Sequence, residues 1–206
     1  MPYVWINPVT ESMYEQDVLN VFLEKHGYKR FQVTGDWLTI VKQKYGLAVS
    51  QATKTVIDVR CPKTKEMLEE LGITSKVFIP DVKPILIHCG QEGSQRADLQ
   101  EEEKIITTPC QALADMGNAL GLKGTWFVPW NKFLKSIGSE PVANIPKESP
   151  IPPGFFEELG VKTVSITGED KIREFFQNDI SDGVELVEIL FCEGGCHNGD
   201  GIKGRK

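Results

Sequence analysis

The chain has 206 residues, 40% of them hydrophobic and 25% charged, enough for one sizeable core or two small lobes of an ordinary globular protein. Its net charge of -6 and isoelectric point near 5.2 argue against nucleic acid as a partner, because that binding relies on clustered Lys and Arg. No apolar run approaches the ~20 residues that span a bilayer, and the opening MPYVWINPVTES has no basic region followed by an apolar core. The expected setting is the cytoplasm, away from membranes, where cysteines read as thiols or metal ligands rather than as a disulfide framework.

Strand-like and helix-like segments alternate along the chain. Tyr3-Val4-Trp5-Ile6 reads as a short strand. Ser12 and Glu15 form a possible capping box for a helix carrying Val18, Leu19 and Phe22 on one face, and Gly27 ends it. Phe31 to Thr34 is a second expected strand, followed by a helix from Asp36 to about Tyr45 with Gly46 as its stop. Further strands are expected at Thr55–Val59, Pro84–Ile87, Ile105–Thr107, Thr125–Val128, Val161–Ile166 and Glu185–Phe191. Helices are expected at Pro62–Leu71, Gln111–Leu120, Phe155–Leu159 and Glu169–Gln177. The pattern predicts an α/β fold of mostly parallel sheet flanked by helices. The proline-rich stretch PVANIPKESPIPPG reads as a connector, 141–153, between two small lobes of a single domain, approximately 1–140 and 154–206.

The cysteines carry the chemistry. Cys61 follows KTVIDVR, Cys89 follows PILIH, Cys110 follows IITTP and Cys192 follows LVEILF, with Cys196 one loop further on. Each is expected at or just past the carboxyl end of a strand, and in open parallel sheets that edge is where ligands bind. Converging thiolates suit a soft metal centre, either zinc or an iron–sulfur cluster. Gly194 and Gly195 between the last two cysteines fit both, since glycine lets the backbone curl and aim N–H groups at sulfur. Zinc sites usually draw on two local ligand pairs, and here only one, C-x3-C, exists. His88 and His197, beside Cys89 and Cys196, keep zinc open as the alternative. Cys89 alone reads as a small buried hydrophobe.

The closing FCEGGCHNGDG, led in by a strand, resembles the end of the catalytic domain of iron-only ([FeFe]) hydrogenases, which closes with a strand, Cys-Pro-Gly-Gly-Cys and a glycine-rich tail. DVRCP resembles that family's Thr-Ser-Cys-Cys-Pro segment, and KIITTPCQAL resembles its Met-Pro-Cys segment. The resemblance implies that Cys61, Cys110, Cys192 and Cys196 bind a [4Fe–4S] cluster, with Gly194 and Gly195 in its cradle. It also implies a redox partner protein such as a ferredoxin. Cys89 has no counterpart.

The departures fall on the side of the family's two-iron subcluster. Arg60 stands at the position of the proton-relaying thiol, Leu113 at that of a conserved lysine and Met116 at that of a glutamate on the proton route. Glu193 replaces the proline of Cys-Pro-Gly-Gly-Cys, and Asp200 interrupts the glycine-rich tail. Arginine stays protonated and neither Leu113 nor Met116 carries protons. The expectation is a hydrogenase-like protein that keeps the [4Fe–4S] site, lacks the two-iron subcluster and has lost hydrogen chemistry. It would serve electron transfer or redox sensing. A divergent active hydrogenase would need a substitute relay from Glu193, Asp58 or Asp200. A zinc-bearing or metal-free interaction module would use Trp5, Trp37, Trp126 and Trp130 as a partner surface or hold them as core.

Overall fold

In the computed structural model of the chain, residues 1–144, 146–178, 180 and 182–202 are described. The chain is α/β, and all strand pairs are parallel. It divides into two compact units that are interleaved in sequence. Unit 1 comprises Met1–Gly35, Leu86–Pro150 and the segment from Cys196 onward, and unit 2 comprises Asp36–Ile85 and Ile151–Gly195. The expected lobes, 1–140 and 154–206, therefore do not coincide with the compact units. Parallel neighbours need long crossovers, so each sheet recruits strands from distant parts of the chain. Within the expected connector Ile145 lies outside the described residues, as do Asp179, Ser181 and 203–206 of the expected second lobe.

Unit 1 is built on a four-stranded sheet in the order β2-β1-β4-β5, with β1 at Tyr3–Trp5, β2 at Lys29–Arg30, β4 at Lys104–Thr108 and β5 at Thr125–Pro129. Alternation along the strands sorts their side chains between two faces. Val4, with Ile105 and Val128, joins a core with Leu19, Phe22 and Leu23 of α2 (Gln16–Lys25) and Phe133 and Leu134 of α7 (Trp130–Ile137). Phe127 lies against α5 (Ile85–Gln95), packing over Gly90, and against Gly117 of α6 (Gln111–Asn118). A short helix, α1 (Pro8–Glu11), follows β1 and is capped by the Asn7 side chain.

Unit 2 holds a three-stranded sheet in the order β3-β7-β6, with β3 at Val56–Asp58, β6 at Thr163–Thr167 and β7 at Leu186–Leu190. Ile57, Val187 and Ile189 pack against α4 (Pro62–Glu70) and α8 (Glu169–Gln177) through Met67, Leu68 and Ile172. Val56 and Leu186 on the opposite face meet Val41, Tyr45 and Ala48 of α3 (Trp37–Gln51), together with Phe155 and Phe156.

Several local expectations need correction. Pro84–Ile87 opens helix α5 rather than forming a strand, so Cys89 sits in mid-helix, 3% exposed, and not at a strand end. A short apolar run is ambiguous between the two, and here Gly90 permits the close helix–sheet contact with Phe127. Ser12 does not cap α2. It ends α1, donating its hydroxyl hydrogen to the Val9 carbonyl, and Glu15 precedes α2 without a side-chain cap. Helix α3 runs through Gly46 to Gln51, strand β2 falls at Lys29–Arg30 rather than Phe31–Thr34, and α7 is an added helix. Phe155–Leu159 supplies only a 3-10 turn, Glu157–Leu159. No helix among the described residues is long and apolar enough to cross a membrane.

Candidate metal centre

Among the described residues all five cysteines are thiols. Four of them divide equally between the units: Cys61 and Cys192 belong to unit 2, and Cys110 and Cys196 to unit 1. The chain passes from one unit to the other between Gly195 and Cys196.

In unit 2, β3 and β7 are adjacent and parallel, with Asp58 opposite Glu188. The two strands therefore deliver Cys61 and Cys192 to the same carboxyl edge. Cys61 occupies the N-cap position of α4, and Pro62, which lacks an N–H, begins the helix where that loss costs no intrahelical bond. The Cys61 thiol accepts hydrogen bonds from the backbone N–H groups of Phe191, Thr64 and Lys63. Burial pushes its pKa up and the three N–H groups pull against that, so the sulfur has its anion-stabilising donors in place while still held as a thiol. The loop after β7 turns through Gly194 and Gly195 at φ +71° and +121°, where a Cβ would be strained. Their N–H groups go to oxygen, not sulfur. Gly194 donates to Thr167 Oγ1 at 3.0 Å and Gly195 to the Cys192 carbonyl at 3.1 Å.

Next to this pair lies a buried ion network. Asp58 and Glu188 are both fully buried, and Arg60 is 8% exposed. The Arg60 guanidinium holds Asp58 through Nε and Nη2 at 2.8–3.0 Å and Glu188 through Nη2 at 2.8 Å. Ser165 Oγ and the Gly154 N–H donate to the other Glu188 oxygen at 2.7 and 2.6 Å. Phe155 and Phe156 lie against the guanidinium, with ring centres 4.1 and 4.6 Å away. Burial alone would lower the Arg60 pKa, but Asp58 and Glu188 outweigh it and hold the group above its ordinary value. Burial raises the Tyr45 pKa well above the ordinary phenol value, with nearby Asp58 adding to the effect, and Tyr45 Oη accepts from the Val59 N–H at 3.2 Å.

In unit 1, β4 leads through Pro109 to Cys110, the N-cap residue of α6. The partner cysteine arrives by a different route. Cys196 begins a 3-10 turn, Cys196–Asn198, and the residues after it lie on the Pro109–Gln111 turn. The Gly201 N–H donates to the Pro109 carbonyl at 3.0 Å, and Asp200 Oδ1 accepts from the Gln111 N–H at 2.9 Å. A Cβ on Gly199 would overlap the Pro109 carbonyl oxygen and come within 3.0 Å of the Cys196 carbonyl oxygen. One on Gly201 would stand 2.9 Å from the Cys110 nitrogen. The tail that follows Cys196 is thus docked on the Pro109–Gln111 turn through glycines that no larger residue could replace.

The other expected residues take ordinary positions. Asp58 is saturated by Arg60, Glu193 is exposed and paired with Lys171 at 2.7 Å, and Asp200 binds the α6 N-terminus. Leu113 is buried on α6. His88 is buried within α5, and His197 Nε2 lies 3.1 Å from Asn198 Nδ2. Trp5 and Trp130 are core, Trp37 is half-buried and Trp126 is 56% exposed. Among the described residues, no three His, Cys, Asp or Glu side chains gather around the position of a single ion.

Sequence reasoning missed Thr167, Asn131 and the Arg60 network. The network had a readable sign: a carboxylate inside each of two apolar strands, VIDV and LVEIL, with one arginine two residues from the first. Thr167 and Asn131 left none. No protein-family model and no curated protein matches the chain.

Proposed function

We propose that this chain is a hydrogenase-like iron–sulfur protein that binds a [4Fe–4S] cluster through Cys61, Cys110, Cys192 and Cys196. It serves one-electron transfer or redox sensing and has lost hydrogen chemistry. The observation that carries the reading is the repeated arrangement: in each unit a cysteine occupies the N-cap position of the helix that follows a parallel strand. The single segment 192–196 supplies a second cysteine to each unit, Cys192 to unit 2 and Cys196 to unit 1. Four thiolates form the donor set that such a cluster takes, and backbone N–H groups directed at a ligand sulfur favour the thiolate and raise the cluster potential. When bound, the cluster supplies a one-electron couple, and the chain's own part is to hold the sulfurs, set their hydrogen bonding and limit water.

The loss of hydrogen chemistry draws support from the relay positions. The Arg60 guanidinium is committed to Asp58 and Glu188, and Leu113 and Met116 have no titratable group. The expected partner is a small redox protein of the ferredoxin kind, in a soluble, membrane-free setting.

The test is the content of iron, zinc and acid-labile sulfide in protein prepared and reconstituted without oxygen. The proposal expects about four iron and four sulfide per chain. Zinc without sulfide would replace the cluster with a structural ion, and neither metal would leave the cysteines as core or relic residues. Hydrogen uptake or evolution after two-iron maturation would contradict the lost chemistry.

A further inference from the structure

We infer that Asp200 is a positioning residue: its carboxylate caps α6 at Gln111 and so fastens the tail that carries Cys196. The inference rests on the reading of Cys110 and Cys196 as cluster ligands, and it says how unit 1 prepares them.

A helix N-terminus leaves N–H groups without intrahelical partners, and an N-cap Ser, Thr, Asp or Asn normally accepts one of them. Helix α6 has a cysteine in that position instead of one of these residues. The acceptor comes from 89 residues away, where Asp200 Oδ1 takes the Gln111 N–H at 2.9 Å. A carboxylate there also suits the positive end of the helix dipole. Asp200 is itself held from a third segment. Asn131, the second residue of α7, donates from Nδ2 to the Asp200 carbonyl at 2.8 Å and from its backbone N–H to the Gly201 carbonyl at 2.8 Å. The Gly201 N–H closes on Pro109 at 3.0 Å, and Ile202 is buried in the unit 1 core at 3% exposure.

The tail is therefore a clasp with three anchors: the α6 N-terminus, the α7 N-terminus and the core. Cys196 is tied directly into it, because the Gly199 N–H donates to the Cys196 carbonyl at 3.0 Å. The arrangement explains why an acidic residue interrupts the glycine-rich tail. Glycines at 199 and 201 allow the approach, and the aspartate between them makes the bond.

The test compares Asp200→Ala with Asp200→Asn, which keeps the Oδ1 acceptor. The first readout needs no cluster: the rate at which iodoacetamide alkylates each cysteine of the metal-free protein, resolved by peptide mass spectrometry. Loss of one hydrogen bond predicts about fivefold to tenfold faster modification of Cys196 in Asp200→Ala. Asp200→Asn is expected near wild type, with Cys89 and Cys192 unchanged in all three. The second readout is the rate of cluster loss to an iron chelator, expected to rise in Asp200→Ala and to be rescued in Asp200→Asn.

Equal Cys196 rates in Asp200→Ala and wild type would overturn the inference. So would a matching rise at Cys89, which shares unit 1 and would report general loosening. Absence of any cluster, with the alkylation pattern as expected, would remove the cluster reading and leave the clasp standing. Should Asp200→Ala not fold, Asn131→Ala releases the tail from its other side and is read in the same way.

Discussion

The two cysteine pairs, one in each unit, are held by different means. In unit 2 the sheet does the work. Adjacent parallel strands end together, and the N–H groups of Lys63, Thr64 and Phe191 already reach the Cys61 sulfur. In unit 1 only Cys110 follows a strand of its sheet, and Cys196 is held by a tail fastened through Asp200, Asn131 and Gly201. A sulfur delivered by a sheet inherits the rigidity of the core, whereas one delivered by a tail depends on a few identifiable hydrogen bonds. The first pair should therefore fail only with its unit, and the second should fail locally.

The largest effect expected is in unit 2. Arg60→Ala would leave Asp58 and Glu188 buried without their cation, a loss of about 3–5 kcal/mol. Denaturant unfolding should show it, and hydrogen exchange should quicken in β3 and β7 while β4 and β5 keep their protection. Equal loss in both sheets would break the contrast. Next in size is Gly199→Ala, whose new methyl meets the Pro109 carbonyl and should cost about 1–3 kcal/mol by overpacking. Its signature is local: slower-exchanging amides of unit 1 stay protected while the Gln111 amide exchanges faster. Thr167→Val should remove about 1 kcal/mol by taking away the Gly194 acceptor, and Thr167→Ser should restore it.

A further effect, confined to the alkaline range, concerns Cys89, which belongs to neither pair of candidate ligands and serves as the reference. Burial raises its pKa from 9.0 to about 12. The folded state therefore retains a proton that the unfolded chain gives up. Stability from this group is complete below pH 9 and is lost as pH rises toward 12, by up to about 1.4 kcal/mol per pH unit. Cys61 is shifted in the same direction. Unfolding free energies at pH 8, 9 and 10 should fall less steeply in Cys89→Ala than in wild type. A parallel decline would mean that Cys89 is not the source.

What the sequence revealed follows the same contrast. Alternating strands and helices, the parallel sheet and the placement of Cys61, Cys110 and Cys192 after strands were legible, because period and position carry them. Cys89 was misplaced because PILIH is short enough to be helix or strand, and the contact deciding it, Gly90 on Phe127, is remote in sequence. The division into units was hidden for a related reason. Parallel strands β3, β6 and β7 join segments more than a hundred residues apart, and a proline-rich stretch is a stronger local mark than any such crossover. Asp200 was visible as a departure from a glycine-rich tail, but its duty at Gln111 appears only in three dimensions.

The most direct measurement is electron paramagnetic resonance of the reduced protein after anaerobic reconstitution, recorded for wild type and for single serine variants of each cysteine. The signal of a reduced [4Fe–4S] centre should appear in wild type and Cys89→Ser and be lost or altered in Cys61→Ser, Cys110→Ser, Cys192→Ser and Cys196→Ser. A wild-type protein with no such signal, or one that survives unchanged in any of those four variants, would contradict the proposed four-cysteine cluster.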